Sequence, residues 1–328
     1  MERLQGGLKP AFPDLNKGAG AVTRRCDKTG FEAFADMQPS PSPSRSNLAG
    51  WLYVSPLVLV LVPFFVAPIL VVLAASFFAT DGFGGLTPGF TLASYVEVLH
   101  SALTLKLYLA TIKFTVLTWV FTLIIGFFVA YFLVFHVRNQ LLAIGLFLLC
   151  TVPFWTSNII RMISWIPLLG KEGLINQALL AMGVIRQPLE VLLFSDLAVV
   201  IAYVHQLTIF MIVPIFNSMA RIDKKLIEAA IDAGASRFDI MRLIVVPMSK
   251  SGIALGTIFV VSIVMGDFFV VKVMSGGGSA SVVSAFYEDV GVLQYPTAAA
   301  SAVLLTLVLV AIVSLILRTV DIRQEITR

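Results

Sequence analysis

Five ionisable side chains, Lys113, Arg161, His205, Asp267 and Lys272, stand inside long apolar runs of this 328-residue sequence. Such a group costs about 2.5–3.5 kcal/mol at the middle of a bilayer, so in a membrane segment it marks a solute path or a proton relay, unless a long stem carries it to the interface. Asp267 is the one carboxylate clearly within a run; it could relay a proton or face a cation. Arg161 could face a carboxylate, or pair with Asp267 and hold a gate shut until a solute competes. Phe154, Asn158, Arg161 and Trp165 fall at i, i+4, i+7 and i+11, one stripe of a continuous helix, with Ser157 and Ser164 beside it. Lipid would not tolerate that stripe, so it is expected to face protein or water, as polar glue between helices or as pore lining. Lys113 and Lys272 are expected to snorkel to the interface. His205 and Gln206 are weaker candidates for the same path.

Other chemistry finds no support. No G-x-x-x-x-G-K-[ST] pattern occurs, "GKEG" at 170–173 included, so the chain cannot hold ATP in a phosphate-binding loop. H-E-x-x-H and G-x-S-x-G are also absent, and His100, His136 and His205 are far apart in sequence. Cys26 lies in a polar stretch and Cys150 in an apolar run, so neither a disulfide nor a metal site is expected. No cofactor is expected in this chain, and it does not read as an enzyme. A net charge of +4 is too small to suggest a nucleic-acid partner.

The elements that must position these residues follow from composition. The chain is 58% apolar and 13% charged with mean hydropathy +0.94, far from the roughly 25% charged residues of soluble domains. It reads as all-α and membrane-embedded. Six runs are each long enough to span: Trp51–Phe78, Leu107–Phe135, Leu141–Ile163, Leu197–Met219, Gly252–Val273 and Ala298–Leu317. On straight helices rising about 1.5 Å per residue, Asp267 would lie roughly 22 Å and Arg161 roughly 30 Å from the inner face. Residues 1–47, rich in Gly, Pro and Ser, are expected to form a disordered tail, with the transmembrane domain over 48–328. With both termini in the cytoplasm, inner segments hold 17 Lys and Arg and the outer side 6, which sets the orientation.

The segment between spans four and five is then cytoplasmic. "EAAIDAGASRFDIMRLIVVP" (228–247) carries Glu228, Asp232, Arg237, Asp239 and Arg242 between two greasy runs. Leu226 to Ala233 reads as a helix stopped by Gly234. Ser236 caps a second helix with Asp239 as its capping-box partner, and Pro247 marks the end before span five. Ala229, Ala230, Ala233 and Ala235 give a small-residue surface that another backbone can approach. The alternating charges suit a protein groove better than lipid headgroups. "GIALG" (252–256) reads as ordinary close packing of helices.

Glu228, Ala229, Ala230, Gly234, Ile244 and Pro247 resemble the Glu-Ala-Ala signature of permease subunits of bacterial ABC importers, with Val246 where leucine is more usual. "PFWTSNIIRMISWIPLLGKEGLINQ" (153–177) and "GDFF" (266–269) resemble the polyamine-type (spermidine/putrescine) branch. The resemblance covers roughly residues 48–325. It implies a type I importer permease fold in the bacterial inner membrane, with a coupling hairpin at about 220–250 seated in a cleft of an ATPase. It also implies a second permease, a homologous but different chain, a dimer of cytoplasmic ATPases that bind the ATP and Mg, and a periplasmic or extracellular solute-binding protein. The solute would be a polyamine or a related amine, opine or amino-acid-like compound, handled by alternating access. The rival reading is an ion-coupled carrier or channel with Asp267 as relay.

Overall fold

The computed structural model describes residues 46–80, 85–87, 89–137 and 139–319. The expected tail lies outside these residues up to position 45. The chain divides into a unit ending at Val62 and a larger unit from Pro63 onward. Of the first, helix α1 (Ser46–Leu61) is described, mostly apolar and with Pro56 inside it.

In the larger unit, helix α2 (Ala67–Ala75) leads into a two-stranded antiparallel ribbon, β1 (Ala79–Thr80) and β2 (Leu86–Thr87), with Ala79 opposite Thr87. Short α3 (Ala93–His100) precedes α4 (Ala102–Tyr131), whose first turn is capped by the Ser101 hydroxyl accepting from Thr104 N–H at 3.3 Å. Helices α5 (Gln140–Thr151), α6 (Asn158–Ile163), α7 (Ile166–Leu169) and α8 (Leu174–Ala181) form a broken series. Then come α9 (Asp196–Met219), α10 (Lys224–Asp232), α11 (Arg237–Ile240) and α12 (Val246–Met248). Helices α13 (Lys250–Gly266), α14 (Phe269–Met274), α15 (Val282–Gly291) and α16 (Tyr295–Thr319) complete the unit.

Four helical stretches are long and apolar enough to cross a membrane: Val54–Ala75, Ala102–His136, Asp196–Met219 and Tyr295–Thr319. Two bent pairs bring the number to six if each is one span. Leu141–Trp155 and Asn158–Ala181 meet at 92°, and Arg237–Met248 and Lys250–Gly266 at 66°. The expectation of a straight third span over Leu141–Ile163 is therefore corrected. Pro153 has no N–H to continue α5, the chain tightens to a 3-10 turn over Val152–Trp155, and Thr156 is extended. The fifth span is also shorter than expected. It stops at Gly266, and Asp267 is extended (φ −99°, ψ 137°) before α14 begins.

The core is the packing of α4, α9 and α13. Buried positions on α4, Thr111, Thr115, Thr118, Thr122, Gly126 and Ala130, recur every three or four residues and make a narrow small-residue stripe, with buried Phe114 beside it. Thr111, Thr115 and Thr122 return their hydroxyls to carbonyls one turn back, which removes the cost of burying them. Met211 of α9 fills the centre. A Cβ on Gly126 would come to 2.8 Å from its Cγ, and one on Gly256 to 2.6 Å from its Sδ. Across from Pro214 O, a Cβ on Gly252 would sit at 2.4 Å, so α13 and α9 touch backbone to backbone there. The "GIALG" reading holds. Trp119 Nε1 donates to Thr257 Oγ1 at 2.9 Å and ties α4 to α13.

Candidate functional site

Two places collect the candidate residues: the hairpin after α9, and a cavity against the first half of α9.

The hairpin is built by local rules. The Asp223 carboxylate accepts from Lys225 N–H at 2.9 Å and starts α10. Its end is a Schellman motif: Ala235 N–H reaches Ala230 O at 3.0 Å and Gly234 N–H reaches Ile231 O at 2.9 Å, with Gly234 at φ 85°. Nothing lies within 4 Å of a Cβ placed on Gly234, so glycine is needed there for its backbone angle and not for space. The alanines at 230 and 235 are the pair whose apolar contact accompanies this motif, and both pack on the main core. The capping box is present: Asp239 N–H donates to Ser236 Oγ and Ser236 N–H to Asp239 Oδ2, both at 3.2 Å. Ile227 and Ile244 face inward, and Ile240 and Val245 are buried in the same core as α4 and α9. Glu228, Ala229, Gly234 and Pro247 stay exposed, with Leu226, Ile231, Phe238 and Leu243 also uncovered on the outer surface.

The hairpin is tied to the bundle at its far end. Ser249 breaks the chain between α12 and α13, its hydroxyl donating to Val245 O at 2.7 Å. Ser218 at the end of α9 donates to Met248 O at 3.3 Å and meets Ser251 Oγ at 3.1 Å. The elbow is thus pinned to α9.

A cavity of about 600 Å³ opens between α4, α5, α6 and α9. Phe121, Ile125, Cys150, Val204 and Ile209 supply apolar wall, and Phe154, Arg161, Trp165, His205 and Gln206 supply the chemistry. Trp165 Nε1 donates to His205 Nδ1 at 3.3 Å with the rings edge to face, centroids 5.5 Å apart. Phe154 packs edge to face on Phe210 at 5.4 Å and, with Ile209, also lines a second cavity of about 310 Å³ lying toward Pro214 and Phe259. Arg161 Nη2 donates to Thr156 O at 3.3 Å, while its buried Nε has no partner. The buried Gln206 Oε1 and Asn158 Oδ1 have none either.

Phe154, Arg161 and Trp165 therefore come together, but not as one helical stripe. Phe154 lies in the 3-10 turn, Arg161 on α6 and Trp165 just before α7, on a chain that has turned through 92°. That turn also removes the basis for placing Arg161 by counting residues from Leu141. Asn158 and Asp267 are not among the cavity's lining residues. Asp267 Oδ1 accepts from Val270 N–H at 2.9 Å and from the fully buried Tyr203 hydroxyl at 3.4 Å, and so caps α14. Lys113 pairs with Asp196 and Lys171 with Glu190, whereas Arg161 and Asp267 do not pair with each other.

Lys113, expected to snorkel to the interface, is paired. Its ammonium binds Asp196 at the start of α9, and Asp196 Oδ1 accepts from Ser279 Oγ at 2.5 Å, joining α4, α9 and the loop before α15. A carboxylate just before span four, Asp196, and a lysine six residues into span two were the signal available for it. Lys272 lies 5.6 Å from the Tyr287 ring centre. In the loop after α7, Lys171 holds the Glu190 carboxyl below its usual range, and on α8 the fully buried Asn176 bridges Gly170 O and both backbone groups of Leu189.

Comparison with known proteins adds the family. The model of "Binding-protein-dependent transport system inner membrane component" matches residues 122–325. The spermidine/putrescine transport system permease protein PotB of Escherichia coli (strain K12) is 31% identical over 264 residues, 80% of this chain and 91% of that protein. The inner membrane ABC transporter permease protein YdcU of the same organism is 26% identical over 257 residues, covering 74% and 80%. A chain from the crystal structure of a bacterial ABC transporter involved in the import of the acidic polysaccharide alginate superposes with TM-score 0.66 at 14% identity, over 89% of this chain and 98% of that one.

Proposed function

This chain belongs to the binding-protein-dependent transport system inner membrane components, the permease subunits of ABC importers, and we propose that residues 220–250 are its coupling hairpin and that the α9 cavity is part of its solute path. Membership places it in the inner membrane, makes it a transport subunit and not an enzyme, and removes the ion-coupled carrier from consideration. The observation that carries the coupling role is that the hairpin has two unlike surfaces. Its inner surface is fixed in the core by Ile240 and Val245, and its outer surface offers Glu228, Ala229 and apolar side chains with nothing on them.

The mechanism follows from those attachments. Two cytoplasmic ATPases, which carry ATP and Mg, close on ATP binding and push the coupling surface. Because the hairpin is joined to α9 through Ser218 and to α13 through the 66° elbow, the push moves the two helices that share Met211. Helix α9 also forms one wall of both cavities, so their openings change with it. A second, homologous permease completes the path, a solute-binding protein delivers from outside, and both termini of this chain lie inside.

The relatives named for spermidine and putrescine support a small amine-bearing solute. Uptake of labelled spermidine and putrescine into vesicles holding the assembled transporter, its binding protein and internal ATP tests this. Accumulation that needs ATP and the binding protein is expected. Accumulation driven instead by an ion gradient, with no ATP, overturns it.

A further inference from the structure

We propose that α3 is an interfacial helix, whose exposed apolar strip lies in phospholipid at the bilayer surface on the side away from the hairpin. This rests on the chain's membership of an inner-membrane family and not on the solute path. Helix α3 buries Ser94 and Val98, one turn apart. At about 100° per residue, Leu92, Val96 and Leu99 group on the opposite face. They are 53%, 54% and 69% exposed. The strip continues onto α4 through the exposed Leu103, Leu105 and Leu109, and so joins the apolar surface that the span Ala102–His136 turns to lipid. Glu97 and His100, both exposed, stand on one flank. In water this helix would hold a serine inside and three branched aliphatic side chains outside, the reverse of what solvent selects. An acyl-chain boundary makes the same arrangement favourable.

The neighbours of α3 set its depth. Helices α4 and α9 run in the same direction, with Lys113 against Asp196 and Gly126 against Met211, so α3 lies at the end away from the hairpin. The Tyr95 hydroxyl meets Ser76 Oγ at 2.7 Å, and Ser76 directly follows the apolar stretch Val54–Ala75. Phe77 stacks on Phe90 with ring centres 4.9 Å apart and lies 5.4 Å from the Tyr95 ring. Tyrosine, with an apolar body and a polar tip, collects at this level of a bilayer. Behind the helix, a groove of about 300 Å³ is lined by Val98, Leu105, Tyr108, Leu304 and Val308. Leu304 stands nine residues past Tyr295, about 13 Å along α16, so α3 lies beside that span.

Spin labels report which medium each position meets. In an assembled transporter otherwise free of cysteine, with Cys26→Ser and Cys150→Ala in this chain, Leu92→Cys, Val96→Cys, Glu97→Cys, Leu99→Cys and Leu103→Cys are labelled one at a time with a nitroxide. All five side chains are exposed, so the packing of the bundle is left intact. Each complex is placed in nanodiscs of phosphatidylethanolamine and phosphatidylglycerol. Power saturation then compares collision with oxygen, which concentrates in lipid, and with a nickel chelate, which stays in water. The oxygen-to-nickel ratio should be severalfold higher at positions 92, 96, 99 and 103 than at position 97. A ratio at Val96 and Leu99 no higher than at Glu97, with nickel reaching them, means that water covers the strip and overturns the proposal. Exclusion of both reagents at Val96 and Leu99 means that protein covers it, as the second permease or the binding protein would, and overturns it as well. Neither ATP nor solute enters this assay, so failure of the importer mechanism appears in vesicle uptake and failure of this inference appears in the collision profile.

Discussion

Asp267 illustrates how one carboxylate serves structure and chemistry at once. It receives Val270 N–H at the start of α14 and the Tyr203 hydroxyl from α9, at the point where α13 gives way to extended chain. Loss of such a cap costs about 1 kcal/mol, whereas Asn keeps the acceptor oxygen and removes the charge. Asp267→Ala should therefore lower the Tm of the purified complex and Asp267→Asn should not. If the charge also serves the path, Asp267→Asn lowers amine uptake at unchanged yield. Thermal unfolding and vesicle uptake on the two variants separate the roles, and parental uptake by Asp267→Asn would confine the residue to capping. Position in a greasy run marked Asp267 as costly, but which backbone group it satisfies depends on where α13 stops, and no residue type announces that.

At the scale of elements, close approach decides the sign of a substitution that is usually mild. Gly to Ala in a helix interior ordinarily stabilises by up to about 1 kcal/mol. In α5, nothing lies within 4 Å of the place a Cβ on Gly145 would take, so Gly145→Ala should hold or raise Tm. In α13, a Cβ at Gly252 would meet Pro214 O at 2.4 Å, a backbone atom that cannot swing away, so Gly252→Ala should lower Tm, overpacking costing about 1–3 kcal/mol. Equal shifts in a thermal-unfolding assay would contradict the packing described for α9 and α13. On α15, burial first, and then Glu97 and Glu288, push the Asp289 carboxyl above its ordinary value. A raised folded-state pKa means that this group favours folding only when protonated, and that the contribution is lost as pH rises. Asp289→Asn should thus raise Tm at pH 7, and the gain should shrink as pH falls toward 4; a gain independent of pH sinks this account. The long elements were legible because apolar length and capping residues are local signals: Ser236, Asp239 and Gly234 stand where the sequence put them. The 92° turn after Trp155 was not, because Pro153 resembled other prolines that leave helices unbroken, as Pro214 does within α9. Half of the cavity chemistry went underweighted for the same reason, since His205 and Gln206 gain meaning only when the turned chain brings Arg161 and Trp165 against them.

For the whole molecule, the claim is that force enters at the hairpin and leaves at α9. The chain contains no ATP-binding loop of its own, so energy has to arrive through contact, and the exposed surface around Glu228 and Gly234 sits on a frame anchored by Ile240, Val245 and Ser218. Glu228→Lys reverses charge on that surface, and Gly234→Val forces a β-branched residue to φ 85°, so that the Schellman turn cannot keep its shape. Neither touches the core or the cavity. The most direct test measures ATP hydrolysis and solute uptake together, in vesicles carrying each variant with its partner subunits. Parental complex yield with uptake reduced by tenfold or more per ATP hydrolysed, about 1.4 kcal/mol or more of lost coupling, is the predicted result. Uptake per ATP equal to the parent in both variants would contradict the account.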